Sequence, residues 1–266
     1  MDELPKTMAE LGPGASLGIG LAAMLSGVDH YVALDVVAHS NRENNLKVLD
    51  ELVEIFQARS PRRSKGWPDF DELLDERLFP SHILTNNVLE RTLCKERVDS
   101  IRRAIMDPSY DADVSIRYGV PDDASSHREG IIERESIDFV VSHSVLEHVA
   151  ALDQIYGVLR SWLKPGGMMS HQIDYTGHGV SSTWNGYRSY SEYFWKLLVG
   201  KRAFLINREP HSVHVGLIKQ SGFSVRRELC SYRVDGMPRH RLARRWQAIS
   251  DEDLSCAGAF LQAVKR

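Results

Sequence analysis

Histidines and carboxylates gather in the second half of the chain in a pattern suited to proton transfer. His143 and His148 stand close together, "SHQIDYTGHG" places His171, Asp174, Tyr175 and His178 in one short stretch, and His211 and His214 follow. Imidazole is the side chain whose ordinary pKa lies nearest neutral pH, and a neighbouring carboxylate can orient it and stabilise its charged form. We take His143, His171, Asp174 and His178 as the candidate catalytic groups, although a lone histidine is more often a satisfied structural residue. A second concentration lies in "STWNGYRSYSEYFWKLL" and "LINREPHSVH". There Trp184, Asn185, Tyr187, Arg208, His211 and His214 offer aromatic faces with amide, guanidinium and imidazole partners, a set that suits a sugar or a planar ring. The plainer alternative is that Trp184, Tyr187, Tyr190 and Trp195 simply pack this segment onto its neighbours.

A different chemistry opens the chain. "ELGPGASLG" sets Gly12 and Gly14 after a short apolar run, with Gly18 four residues on, and Asp35 sits in the next apolar run, "YVALDVV". Glycines at a strand-to-helix turn let a ligand approach the backbone closely, and the helix start adds free N–H donors. An acid at the end of the second strand can accept hydrogen bonds from ribose hydroxyls. The spacing Gly12-x-Gly14-x-x-x-Gly18 differs from the GxGxxG of dinucleotide sites and is a weak signal alone. Glu10 tilts the reading, because an acid is awkward beside a diphosphate and suits a cationic ligand such as an aminoacyl sulfonium.

These groups need elements to position them. Thr7 to Leu11 reads as a strand, "LGIGLAAMLSG" as a helix ending near Gly27, and Tyr31 to Val37 as a strand buried on both faces. This strand–turn–helix–strand unit opens a parallel α/β sheet. Residues 38–112 then separate the second strand from the next, "DVSIRYGV", far more than a crossover needs. "NNLKVLDELVEIF", "FDELLDERLF", "SHILTNNVLERTL" and "RVDSIRRAIM" read as helical, so we expect a helical cap inserted at about 40–110. Ile137 to Val141 is a strand, followed by an amphipathic helix that Pro165-Gly166-Gly167 should stop. Met168 to Asp174 is a strand in which His171 and Gln172 face opposite ways. "HVGLIKQSG" reads as helix, and "FSVRRELCSYRV" and "GAFLQAVKR" as closing strands.

Composition excludes several classes. The formal net charge is -3, so no general polyanion surface is implied, and "RHRLARRWQ" is most simply a solvated helix face. The three cysteines, Cys94, Cys230 and Cys256, form no CxxC pair, which argues against a disulfide framework or zinc knuckle. No apolar run is long enough for a membrane span and no signal peptide is visible, so we expect a soluble cytoplasmic protein.

Taken in order, "ELGPG", Asp35, "IDFVVSHSVLEHV" and "LKPGG" resemble the motifs of the class I S-adenosylmethionine (SAM)-dependent methyltransferases. The resemblance covers Lys6–Val37 and Asp113–Arg266. It implies a single α/β domain over residues 1–266: a Rossmann-like, mostly parallel seven-stranded sheet ordered 3-2-1-4-5-7-6, with helices on both faces. It also implies a substrate-side segment at about 175–215. By the same resemblance SAM is the cofactor and S-adenosylhomocysteine the product. Glu10, Gly12 and Gly14 would lie along the methionine part, Asp35 with Val36 at the ribose, and Gly119 and Val120 beside the adenine. Asp122 or Asp123 would supply the third-motif acid, and Ser142 and His143 would line the region of the methyl group. Some relatives bind a divalent ion through an E-x-x-E-H pattern where this chain has "SVLEHV"; Ser144 replaces the first glutamate, so no metal is expected. The stretch before Thr7 lacks the helices that often cover the cofactor in this family, so either the insert or a partner subunit must cover it, and we expect the insert.

Methyl transfer needs the acceptor aligned and its proton removed. The leading expectation is methylation of a small-molecule hydroxyl, such as that of a sugar or natural product, with neither nucleic acid nor membrane as partner and a homodimer left open. N-methylation of a small molecule, an NAD(P)-dependent reductase and a non-catalytic binding module are the alternatives. "SHSV" stands where amino-methylating nucleic-acid enzymes carry an NPPY-type tetrapeptide.

Overall fold

We describe a computed structural model of the chain at residues 4–61, 67, 78–120, 132–202 and 205–266. Its elements run β1 (Thr7–Leu11), α1 (Gly18–Leu25), β2 (His30–Leu34), α2 (Arg42–Gln57), α3 (Asn86–Thr92), α4 (Lys95–Met106) and β3 (Ser115–Gly119). Then follow β4 (Ile137–His143), α5 (Leu152–Trp162), β5 (Leu163–Asp174), α6 (Glu192–Val199), α7 (His211–Gln220), β6 (Phe223–Tyr232), α8 (Asp251–Ser255) and β7 (Cys256–Lys265). The strands form a seven-stranded sheet in the order β3-β2-β1-β4-β5-β7-β6, the order that the resemblance implied. Asp122, Asp123 and most of the helix expected in "FDELLDERLF" lie outside the described residues.

The chain divides into two compact units: Met1–Val141 with Trp162–Gly167, and Ser142–Ser161 with Met168–Arg266. In the first, β1 pairs parallel with β2 and β2 with β3, in a register that sets Glu10 beside Ala33 and Leu34 beside Gly119. Met8, Ala9, Glu10 and Leu11 are all buried, as befits a central parallel strand covered on both faces. Leu21, Met24, Tyr31, Leu49, Ile101 and Ile116 share one apolar core, so α2 and α4 of the expected insert contribute directly to it. Strand β2 stops at Leu34, short of the expected Val37, because Asp35 leaves the ladder: its N–H still donates to Gly119 O at 3.0 Å while its side chain turns back on the chain. Asn41 caps α2 by accepting from the Asn44 N–H at 3.1 Å.

In the second unit, β7 lies antiparallel to both β5 and β6, from Met168↔Val264 to Asp174↔Gly258 on one side. Helix α5 already ends at Trp162, three residues before the expected Pro165 stop, and the strand is continuous from Leu163, so the Pro-Gly-Gly triplet sits within the strand instead of ending the helix. Only Gly166 takes a left-handed φ there, 77°. The basic "RHRLARRWQ" run is not a helix face. It forms two short 3₁₀ turns, Arg239–Arg241 and Arg244–Trp246, anchored by buried Leu242 and Trp246. Arg239 pairs there with Asp251, and Arg245 with Glu209 at 2.6 Å.

Candidate active site

The glycine turn of the first unit is held open by its own backbone. Gly12 and Gly14 adopt φ of 64° and 69°, left-handed values that favour glycine. The Gly12 N–H donates to Leu34 O at 2.7 Å, and the Gly14 N–H to Asp35 Oδ2 at 3.1 Å. Asp35 Oδ1 accepts from the Val36 N–H at 2.8 Å. Each carboxylate oxygen has a further lone pair, so Asp35 retains acceptor capacity for a diol. A Cβ on Gly14 would meet nothing within 4 Å, so the turn faces open space. Val36, Val37 and Val120 are exposed by 38%, 40% and 36%. Such apolar side chains at the ends of β2 and β3 suit the face of a purine. These residues fit the nucleoside end of SAM.

Glu10, which the resemblance set along the methionine part of the cofactor, stands next to last in β1. It is buried and its carboxylate accepts a hydrogen bond from the Tyr31 hydroxyl. Burial pushes its pKa up to about 7, against the opposing pull of the Tyr31 hydrogen bond. Gly20 makes this pairing possible, because a Cβ there would collide with the Tyr31 ring. Leu17 N–H donates to Asn45 Oδ1 at 3.0 Å, and Asn44 Nδ2 to Ala15 O at 3.4 Å, so the start of α2 ties down the loop after the glycines.

The titratable groups of the second unit fall into an exposed set and a buried set. Asp174 and His178, each about a third exposed at 35% and 34%, place Oδ2 and Nε2 3.6 Å apart. His178 has a φ of 45°, unusual for a non-glycine residue, and Gly179 follows at 78°. The His178 ring meets the His148 ring edge-on at 5.1 Å between centroids. Glu147 is 2% exposed, and neither of its carboxylate oxygens has a hydrogen-bond partner. Burial, reinforced by the charge of Asp174, pushes its pKa up to about 8, so it is largely a neutral acid at pH 7. Glu147, His148 and His178 each offer one ligand atom, all within 4.8 Å of one another. Sequence reasoning weighed Glu147 and His148 as a pair and missed the third member, which the turn after β5 supplies.

His171 belongs to the buried set. Its Nδ1 lies 2.8 Å from Ser142 Oγ, its Nε2 has no partner, and desolvation lowers its pKa to about 3. Ser142 is thereby engaged with His171 and buried, whereas His143 is exposed. His214 is likewise fully buried, with Nδ1 2.9 Å from the Tyr156 hydroxyl and a pKa lowered by burial to about 3.

The aromatic residues expected to meet a substrate are largely occupied with one another. Trp184, Asn185, Tyr187, Arg208, His211 and His214 are all buried. The Tyr187 hydroxyl donates to Tyr175 O at 2.9 Å, and Asn185 Oδ1 accepts from the Met237 N–H at 2.6 Å. Arg208 donates to Tyr190 O at 3.0 Å and to Glu192 at 2.7 Å, with its guanidinium 4.5 Å from the Trp195 ring centre. His211 turns Nδ1 to the Tyr175 hydroxyl and Nε2 to Glu228 and Cys230.

A methyltransferase-domain family model matches residues 112–170. No curated protein matches the chain in sequence. A SAM-dependent methyltransferase from Mesorhizobium loti is similar in structure at 14% identity and a TM-score of 0.49, over 100% of this chain and 94% of that one. A putative SAM-dependent methyltransferase from Listeria monocytogenes is similar at 12% identity and a TM-score of 0.47, with the same coverages, 100% and 94%. Phosphoethanolamine N-methyltransferase 2 of Haemonchus contortus, in complex with SAM, is similar at 16% identity and a TM-score of 0.48, over 100% of this chain and 50% of that one. The methyltransferase-domain match falls within a sheet whose strand order is the one that the resemblance to class I S-adenosylmethionine-dependent methyltransferases implied.

Proposed function

We propose that this SAM-dependent methyltransferase methylates a hydroxyl group of a small polar molecule, with His178 as the general base. The observation that carries the reading is the Asp174–His178 couple, each about a third exposed, at and just beyond the end of β5 beside the buried, partnerless carboxyl of Glu147. Asp174 Oδ2 lies 3.6 Å from Nε2 of His178, an ion-pair distance and not a hydrogen bond, so the carboxylate would favour a proton on Nε2 and leave Nδ1 as the basic nitrogen. Nδ1 accepts the hydroxyl proton of the acceptor, and Asp174 stabilises the resulting imidazolium. Glu147, kept neutral by burial, donates a hydrogen bond to a second oxygen of the acceptor. Asp35, Gly12 and Gly14 hold the nucleoside of the methyl donor, with Val36, Gly119 and Val120 beside its base. When bound, SAM supplies an already activated sulfonium methyl, so the side chains need only align and deprotonate the acceptor.

His171 fits a positioning role better than that of a base, since burial holds it neutral and Ser142 occupies its Nδ1. The test is methyl transfer from isotopically labelled SAM to matched panels of small alcohols, sugars and amines. Labelled ether products that disappear in His178→Ala support the reading. Labelled amines alone replace it with N-methylation, and failure to bind S-adenosylhomocysteine removes it.

A further inference from the structure

We infer that His211, Cys230 and Cys256 form a zinc site in the second unit, separate from the Glu147–His178 group. The three residues come from three elements: the first residue of α7, the interior of β6 and the first residue of β7. In the β6–β7 ladder Cys230 stands opposite Ala259 and Tyr232 opposite Cys256, with a register shift between Ser231 and Tyr232. Antiparallel pairing thus brings together two cysteines that are far apart in sequence, and α7 lays His211 against them. One nitrogen of His211 and the two sulfurs all lie within 4.8 Å of one another. His211 Nε2 is 3.4 Å from Cys230 Sγ. Zinc bonds of about 2.3 Å to sulfur and about 2.0–2.1 Å to nitrogen, at a tetrahedral angle, give an S···N edge of roughly 3.5 Å.

The surrounding groups complete such a site. His211 Nδ1 lies 3.3 Å from the Tyr175 hydroxyl, which can accept the Nδ1–H and leave the Nε2 lone pair for the ion. Glu228 Oε1 is 2.6 Å from Nε2, too close for both to ligate as they stand. The Glu228 side chain is 40% exposed, so it can swing to the fourth position or yield it to water. Two sulfurs and an imidazole are donors that zinc takes readily and that magnesium and calcium avoid. On binding, both thiols release their protons to solvent and no oxidant is required. The ion would fasten the start of α7 to the last two strands of the sheet.

The inference stands independently of the methyl-transfer reading. The whole chain is stripped with a chelator under reducing conditions and titrated with Co²⁺ and Zn²⁺, and S-adenosylhomocysteine binding is measured on the same samples. One equivalent of Co²⁺ should give the intense absorption of tetrahedral thiolate coordination, and one equivalent of Zn²⁺ should abolish it. Cys230→Ser and Cys256→Ser should each weaken Zn²⁺ binding at least 10-fold, while Glu147→Gln should leave it unchanged. Wild-type chain alone decides the matter if the serine variants do not fold. A Co²⁺ complex without thiolate absorption, or a loss of two hydrogens on mass analysis that marks a Cys230–Cys256 disulfide in protein kept reduced, would overturn the site.

Discussion

The two units contain buried glutamates that are met differently, Glu10 in the first and Glu147 in the second. In the first, buried acids are matched: Glu10 meets Tyr31, and Asp35 meets the N–H groups of Gly14 and Val36. What it offers a ligand is backbone shape, the Asp35 carboxylate and a few exposed valines. In the second, both oxygens of Glu147 and one nitrogen each of His171 and His214 are left without a hydrogen bond, whereas the described buried atoms so left in the first are Thr92 Oγ1, Arg97 Nε and Trp162 Nε1. A buried polar atom without a partner costs about 1–3 kcal/mol, so an accumulation of them marks a region shaped for something besides stability. The proposed function puts cofactor binding in the first unit and the acceptor's chemistry in the second.

The sharpest way to break this division is a pair of substitutions. His178→Ala should lower kcat by roughly 10²–10⁴ while leaving S-adenosylhomocysteine affinity at the wild-type value. Asp35→Ala should do the reverse, weakening affinity about 10–100-fold through loss of charge-assisted hydrogen bonds. Calorimetry and steady-state rates on the same preparations read both. If His178→Ala abolished nucleoside binding, the division would fail.

Stability offers a smaller test. Gly20→Ala should destabilise the chain by about 1–3 kcal/mol, because the added methyl drives against the Tyr31 ring. Denaturant melts will measure this, and a neutral result would mean that the Glu10–Tyr31 pair can shift at little cost. The pH dependence should be two-sided. Glu10 is raised from 4.5 to about 7, so folding favours its protonated form and stability falls as pH rises through that range. Glu147 acts in the same direction. His171 and His214 are lowered from 6.5 to about 3, so their contribution is full above 6.5 and falls as pH drops towards 3. Melting temperature should therefore decline on both sides of mildly acidic pH, by a few degrees, and Glu10→Gln should flatten the alkaline side.

The first unit was more legible in the sequence than the second, for a physical reason. Gly12, Gly14 and Asp35 act through backbone conformation and position at strand ends, which local sequence encodes directly. Even so, "YVALDVV" concealed that its aspartate turns back on the glycines and ends the strand. In the second unit, the trio of His211, Cys230 and Cys256 depends on strand register and a register shift, which no spacing rule reveals. Cys256 also stands two residues before the expected closing strand, which begins at Gly258. The aromatic run after β5 was conspicuous, yet composition could not tell an open wall from an interior stack. Arg208 between Tyr190, Glu192 and Trp195 shows how far such a run can be occupied with itself.

Asp35 carries one more consequence. Its two backbone hydrogen bonds fix the carboxylate rotamer before any ligand arrives. The conformational entropy of that side chain is therefore lost during folding and not during recognition. A nucleoside meeting it should gain the full strength of each new contact at once, and affinity should respond to the ligand's ribose hydroxyls far more than to rearrangement of the protein.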